Sequence, residues 1–181
     1  NNSGVNNASI AGATWIGTQG VDGRGAYNFS GAGRIQLGDP ASGILDVGID
    51  SFSVEIWANL SSATTTCSLA SKGNPANNNA GGYVLQVPDA ITTEFVVNNG
   101  SGGGQRVQIT QNIRNNSWHH LVGTVERGTV NDSIRLYIDG ALVRNVVLTE
   151  TGNFNETSAL NLGNDPNGDR PCNGTLDEFK L

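Results

Sequence analysis

Little in this sequence is made for helices. Methionine is absent, Lys and Glu are scarce, and charged residues of all kinds make up only 14% of the 181 positions. Glycine, at 25 residues, and recurrent asparagine take their place, a mix that favours strands joined by tight turns. Cysteine occurs only as Cys67 and Cys172, without the CxxC spacing of a structural zinc site. The pair leaves three readings open: two buried thiols, a disulfide across a secreted domain, or a reactive thiol. Positive charge is also short. A formal net charge of −6 speaks against nucleic acid, whose phosphates are held by Lys and Arg. It suits a secreted protein that meets neutral sugars or divalent cations. No apolar run approaches the ~20 residues that span a bilayer as a helix. The sequence opens at Asn1 without a signal-peptide pattern, the expectation for a mature product or an excised domain. Its length fits one domain, residues 1–181, with room for a sizeable core.

What is present is alternation of period two, bounded by turn residues. Residues 52–60, FSVEIWANL, place Phe52, Val54, Ile56 and Ala58 on one face and Ser53, Glu55, Trp57 and Asn59 on the other. Similar runs cover 26–29, 34–37, 67–72, 83–87, 91–97, 106–109, 118–125, 133–138, 141–147, 159–162 and 174–181. Ser30-Gly31-Ala32-Gly33 reads as a turn between the first two, and Asp139-Gly140 as a hairpin turn between 133–138 and 141–147. The Asn- and Gly-rich stretches 75–82 and 98–104 read as loops. About a dozen strands with regular turn signals and no amphipathic helix predict an all-β, antiparallel two-sheet sandwich.

Four stretches then resemble, in order, the laminin-G-like domains of the concanavalin A-like lectin/glucanase superfamily. They are Gly25-Ala26-Tyr27-Asn28-Phe29-Ser30-Gly31; Phe52-Ser53-Val54-Glu55-Ile56-Trp57; Trp118-His119-His120-Leu121 leading to Leu136-Tyr137-Ile138-Asp139-Gly140; and Gly174-Thr175-Leu176-Asp177-Glu178-Phe179 after Leu162-Gly163. The resemblance spans residues from about 20 to 181 and implies a jelly-roll sandwich. It departs from the family pattern at Ser30, where an acidic residue usually follows the aromatic, and at Cys172, where an aromatic is common. It also implies that Trp57 and Trp118 occupy core positions, and that one of His119 and His120 packs inward while the other decorates the sheet.

Catalysis finds little support in the pattern. Glycoside hydrolysis needs two carboxylates across the scissile bond. Here Glu55, Asp89, Glu94, Glu126, Asp132, Asp139, Glu150 and Glu156 fall singly, and Asp177 and Glu178 are neighbours that a strand turns to opposite faces. Lyase chemistry would want clustered Tyr, His and Arg or Lys, whereas Tyr27, Tyr83 and Tyr137 sit in apolar alternation and read as core. Trp15 lies outside the motifs and either packs on the sandwich or stacks on a sugar ring. The resemblance implies one structural calcium tying the terminal strand to the early strand and turn. Asp177 is its main ligand, Asn28, Ser30 or Gly31 lie nearby, and Asp22 is a further donor. The Asn164–Asp169 loop, although acidic, reads as a turn. Asn-x-Ser/Thr triplets at Asn7, Asn59, Asn131, Asn155 and Asn173 follow from composition. The function expected is a non-catalytic carbohydrate-binding or adhesion module of a larger extracellular protein, with a glycan as partner. The alternatives are a structural or protein-interaction spacer stiffened by calcium and, last, a polysaccharide lyase or hydrolase.

Overall fold

The computed structural model describes residues 8–76, 80–102, 104–128 and 130–181, so Asn7 lies outside them. Alternating sequence becomes twelve strands, with no helix among the described residues. The first six are β1 (Ser9–Ile16), β2 (Ala26–Gly38), β3 (Phe52–Leu60), β4 (Cys67–Gly73), β5 (Gly82–Val87) and β6 (Thr92–Asn98). The rest are β7 (Gln105–Thr110), β8 (Trp118–Glu126), β9 (Ser133–Ile138), β10 (Ala141–Val147), β11 (Leu160–Leu162) and β12 (Asn173–Lys180). Every ladder is antiparallel, in the order β10-β9-β8-β3-β12-β2-β11-β4-β5-β6-β7.

β2 is where one sheet becomes two. Residues Tyr27–Ser30 pair with β12, whereas Ile35–Gly38 pair with β11. The path therefore doubles back on itself, and β3 meets β4, β6 meets β9, and β7 meets β9 and β10 across the interior. Phe52 reaches over to Tyr83 and Phe95, with ring centroids 5.4 and 6.1 Å apart. Val54, Ile56, Leu85, Leu121, Leu136 and Leu176 complete a continuous apolar interior, the layer that drives folding of a sandwich. Gln105 stitches the open side of the sandwich. Its amide donates to Val147 O and its Oε1 accepts from Thr149 N and Glu150 N.

The bend in β2 corrects one expectation. Ser30–Gly33 is not a turn between two strands but the kink of a single 13-residue strand. Gly31 takes a φ of 98° there, a conformation that side chains disfavour. β1, which alternation alone did not disclose, pairs with both halves, from Ser9↔Gln36 to Ile16↔Ala26, and carries its own irregularity between Ala11 and Ala13. The Asp139–Gly140 hairpin is present, with φ of 53° and 78°, as a two-residue primed turn requires.

Of the three readings of the cysteines, the structure has the bonded one. Cys67 at the start of β4 and Cys172 just before β12 form a buried disulfide that joins positions 105 residues apart. The tyrosines divide. Tyr83 is fully buried and donates to Leu45 O at 3.2 Å, whereas Tyr27 and Tyr137 are only half-buried.

Candidate functional site

β1 is an edge strand, and it carries the most exposed of the three tryptophans. Trp15 lies opposite Tyr27 in the ladder, so the two rings share a face. They meet edge to face at 5.1 Å. The indole lies over Gly25, where an added methyl group would stand 1.8 Å from Trp15 Cζ2. Trp15 is nevertheless 58% exposed. It forms one wall of a cleft of about 580 Å³, floored by Tyr27, Leu37, Leu162 and Phe179, with Asp22, Arg24, Asp177 and Glu178 at its rim.

The rim is polar because two backbone features present side chains there. Asp22 closes a tight turn by accepting from Arg24 N at 2.9 Å, and its carboxylate pairs with the Arg24 guanidinium at 3.4 Å. On β12, pairing with β2 stops at Leu176↔Tyr27, and the register with β3 breaks between Asp177 and Lys180. Glu178 sits in that break at a φ of 49°. Glutamate rarely adopts this conformation, and such strain collects at functional sites. Asp177 anchors the facing loop: its Oδ2 accepts from Val21 N at 3.0 Å and its Oδ1 from Glu178 N at 2.9 Å. An exposed aromatic face over an apolar floor, ringed by a few hydrogen-bonding groups, is what a sugar ring requires.

A second aromatic region lies on the outward face of β3 and β8, and it corrects the expectation for Trp57 and Trp118. Neither is in the core, because Val54, Ile56, Ala58 and Leu121 point inward and the alternation sends both tryptophans out. Trp57 stacks on His120 at 4.8 Å. His120 Nε2 lies 3.1 Å from Glu55 Oε1, which also accepts from Lys180 at 3.0 Å. The Lys180 hydrogen bond is the main influence holding the Glu55 carboxyl below its ordinary value; burial works against it and His120 adds to it. His119 turns to the other side, donating from Nδ1 to Asp139 Oδ2 at 2.8 Å. For Asp139, burial is the largest influence and pushes upward. Hydrogen bonds from the His119 ring and from His120 N together outweigh it and hold the carboxyl low.

The residues expected at a calcium site do not all meet. Asp22 and Asp177 border the same cleft. Asn28, Ser30 and Gly31 lie further along β2: Asn28 pairs with Thr175 and Thr14, Ser30 with Asn173, and Gly31 N donates to Cys172 O. Asn173, the partner of Ser30, is four strand positions from Asp177, about 13 Å at ~3.3 Å per residue, whereas Thr175, the partner of Asn28, is only two positions away, about 7 Å. Among the described residues no group of three or more His, Cys, Asp or Glu side chains forms a metal cluster. Backbone oxygens do gather at Asp177. A methyl group on Gly20 would stand 2.7 Å from Asp177 Oδ2, 2.8 Å from Arg24 O and 3.0 Å from Gly25 O. The Asn164–Asp169 loop is a turn that closes on itself, Asp165 Oδ1 accepting from Asp169 N and Asn164 Oδ1 from Arg170 N.

Fold and motifs together define a concanavalin A-like sandwich. The laminin G sequence model of the concanavalin A-like lectin/glucanases superfamily matches residues 29–181, and the chain belongs to that family. Among curated proteins no sequence matches it. Solved structures share the fold. Domain 4 of an extracellular GH43 arabinanase from Geobacillus stearothermophilus, in complex with arabinotriose, superposes with a TM-score of 0.65 at 16% identity over 97% of this chain and 81% of that one. A CBM40 module of a Ruminococcus gnavus sialidase, bound to sialyllactose, gives 0.56 at 16% identity over 73% and 75%. The mouse laminin α1 LG4-5 pair gives 0.53 at 14% identity over 72% of this chain and 35% of its own.

Proposed function

We propose that this domain is a non-catalytic glycan-binding module that works outside the cell, and that the Trp15 cleft is its binding site. The observation that carries the reading is the 58% exposed indole of Trp15 over an apolar floor with a polar rim. Buried aromatics belong to the core, whereas an aromatic left open at the mouth of a cleft is a stacking surface. That two structural neighbours were solved with oligosaccharides supports it. A polysaccharide array probed with the purified domain and with Trp15→Ala tests it. Glycan binding that Trp15→Ala abolishes is the expected result; binding by neither protein, or by both alike, would overturn the assignment.

Calcium enters the same reading as a structural ion beside Asp177. The carbonyls of Arg24 and Gly25 supply the neutral oxygens such an ion takes, and Asp22 supplies a second carboxylate. Bound calcium stabilises by mass action, about 2.7 kcal/mol at a hundredfold excess over its dissociation constant. Chelation is then expected to lower Tm by several degrees, and Asp177→Asn to remove that sensitivity. Equal melting in chelator and in millimolar calcium would refute it.

A further inference from the structure

We infer that the Trp15 cleft selects glycans whose sugars carry a methyl group, as a 6-deoxy carbon or an acetyl substituent, over glycans of fully hydroxylated sugars. The inference rests on the cleft being the glycan site and adds the class of sugar it takes. Its basis is the two ladder rows that build the cleft. At one end Trp15 lies opposite Tyr27. At the other, Ile10 lies opposite Ile35, and Ile35 opposite Leu162. Residues directly opposite in an antiparallel ladder share a face. Ile10, Ile35 and Leu162 therefore form a hydrocarbon row across β1, β2 and β11, and all three line the cleft. Ile10 is 48% exposed, and Leu37, Leu162 and Phe179 are covered only in part by the core they pack against. Ile10 stands five residues before Trp15 on β1, up to roughly 16 Å at ~3.3 Å per residue, so the two rows meet different parts of one oligosaccharide.

The floor offers few hydrogen bonds. Beneath the charged rim the lining side chains are hydrocarbon, apart from the Tyr27 hydroxyl and the Trp15 indole N–H. The rim itself is largely committed: both Asp177 oxygens accept backbone N–H groups, and Asp22 pairs with Arg24. A hydroxyl set on the Ile10–Ile35–Leu162 row gives up its water without gaining a partner, which is unfavourable. A methyl group in the same place leaves water for hydrocarbon, which strengthens binding about fourfold for each group buried. The indole stacks on the neighbouring ring alike in both cases. The preference draws on hydrocarbon and not on charge, so calcium beside Asp177 leaves it unchanged.

Titration calorimetry with matched pairs, alongside the polysaccharide array, tests this. The pairs are a D-rhamnose trisaccharide against the D-mannose trisaccharide of the same linkage, and chitotriose against cellotriose. Methyl-bearing glycans are expected to be the tightest array ligands, and the methyl-bearing member of a pair to bind at least about fourfold more tightly than its partner. Ile10→Thr keeps a β-branched residue at a strand position 48% exposed, which the fold accommodates, and should bring that ratio towards one. A fully hydroxylated glycan as the tightest ligand, equal affinities within the pairs that bind, or a ratio indifferent to Ile10→Thr would overturn the selectivity while leaving the cleft a glycan site. Absence of Trp15-dependent binding from both pairs and from the full array would overturn the cleft assignment itself.

Discussion

Two regions of this molecule place tryptophan beside carboxylates, and they differ in how much of the indole is left open. On the outward face of β3 and β8 the groups are spent on one another, Trp57 on His120 and both His120 and Lys180 on Glu55, and on the other side of β8 His119 is spent on Asp139. At the Trp15 cleft the indole touches Tyr27 and Gly25 yet stays 58% exposed, and Glu178 borders the cleft with an uncommon backbone conformation. Aromatic residues alone therefore do not mark a binding surface. A surface whose aromatic rings are covered by their polar neighbours stabilises the fold, and one that leaves a ring open at a concavity is available to a ligand.

β12 serves both regions, since Asp177 and Glu178 border the cleft while Lys180 reaches Glu55. The largest effect should therefore come from the bond that fixes its start. Replacing Cys67 and Cys172 together by Ala is expected to cost about 3–5 kcal/mol, because the disulfide closes a loop of 105 residues. A denaturation midpoint unchanged in the double variant would show that β12 is held by its ladders alone. Next in size is a paired substitution that separates the two regions. Trp15→Ala should weaken glycan binding by about 2 kcal/mol, roughly thirtyfold, and barely move the midpoint. Trp57→Ala should leave binding intact and cost about 1–2 kcal/mol of stability. Equal binding losses in the two variants would erase the distinction.

Gly25→Ala gives a subtler break. It keeps Trp15 but puts a methyl group 1.8 Å from the present position of its ring, so the indole must leave its seat over the cleft. Binding is expected to fall several-fold, less than with Trp15→Ala. A titration giving wild-type affinity would mean that ring placement is immaterial and that the binding surface lies elsewhere.

Strand alternation made much of the fold legible in advance, and it was more trustworthy than motif matching. Residues 52–60 already set Trp57 opposite Phe52, Val54 and Ile56, and the structure keeps that assignment; the family motif alone suggested a core position. β1 escaped notice because SIAGATWI is built mostly of small residues and is largely exposed on both faces, so it has no apolar period to read. Its partner β2 makes it a strand. The candidate site escaped for a related reason. Trp15 was legible as either packing or stacking, and only the ladder places it, opposite Tyr27 and over Gly25 with more than half of its surface open. Long-range placement also explains why Ser30 and Gly31 lie away from Asp177 while Asn28 stays two strand positions from it: the register of β2 against β12 carries Ser30 and Gly31 towards Asn173 and Cys172.

The smallest predicted effect is acid sensitivity, and it belongs to the outward face. Glu55 and Asp139 both have carboxyls held below their ordinary range, Glu55 chiefly by Lys180, and Asp139 by the His119 and His120 N hydrogen bonds that outweigh its burial. A carboxyl whose folded-state value lies below its unfolded value of about 4 stabilises the fold in full above that pH. The contribution is lost as pH falls through the folded value. Both groups are partly exposed, with 27% and 48% of their side-chain surface open to solvent, so each contributes only a few tenths of a kcal/mol. Urea midpoints measured from pH 6 down to pH 3 should show the wild type losing stability below about pH 4. A Glu55→Gln, Asp139→Asn variant should start lower and fall less steeply over the same range. Its binding of a neutral glycan at the cleft should match the wild type at pH 6, since neither substituted residue borders that cleft. Parallel acid curves for the two proteins would show that the network on the outward face adds nothing beyond the exposed aromatics it surrounds.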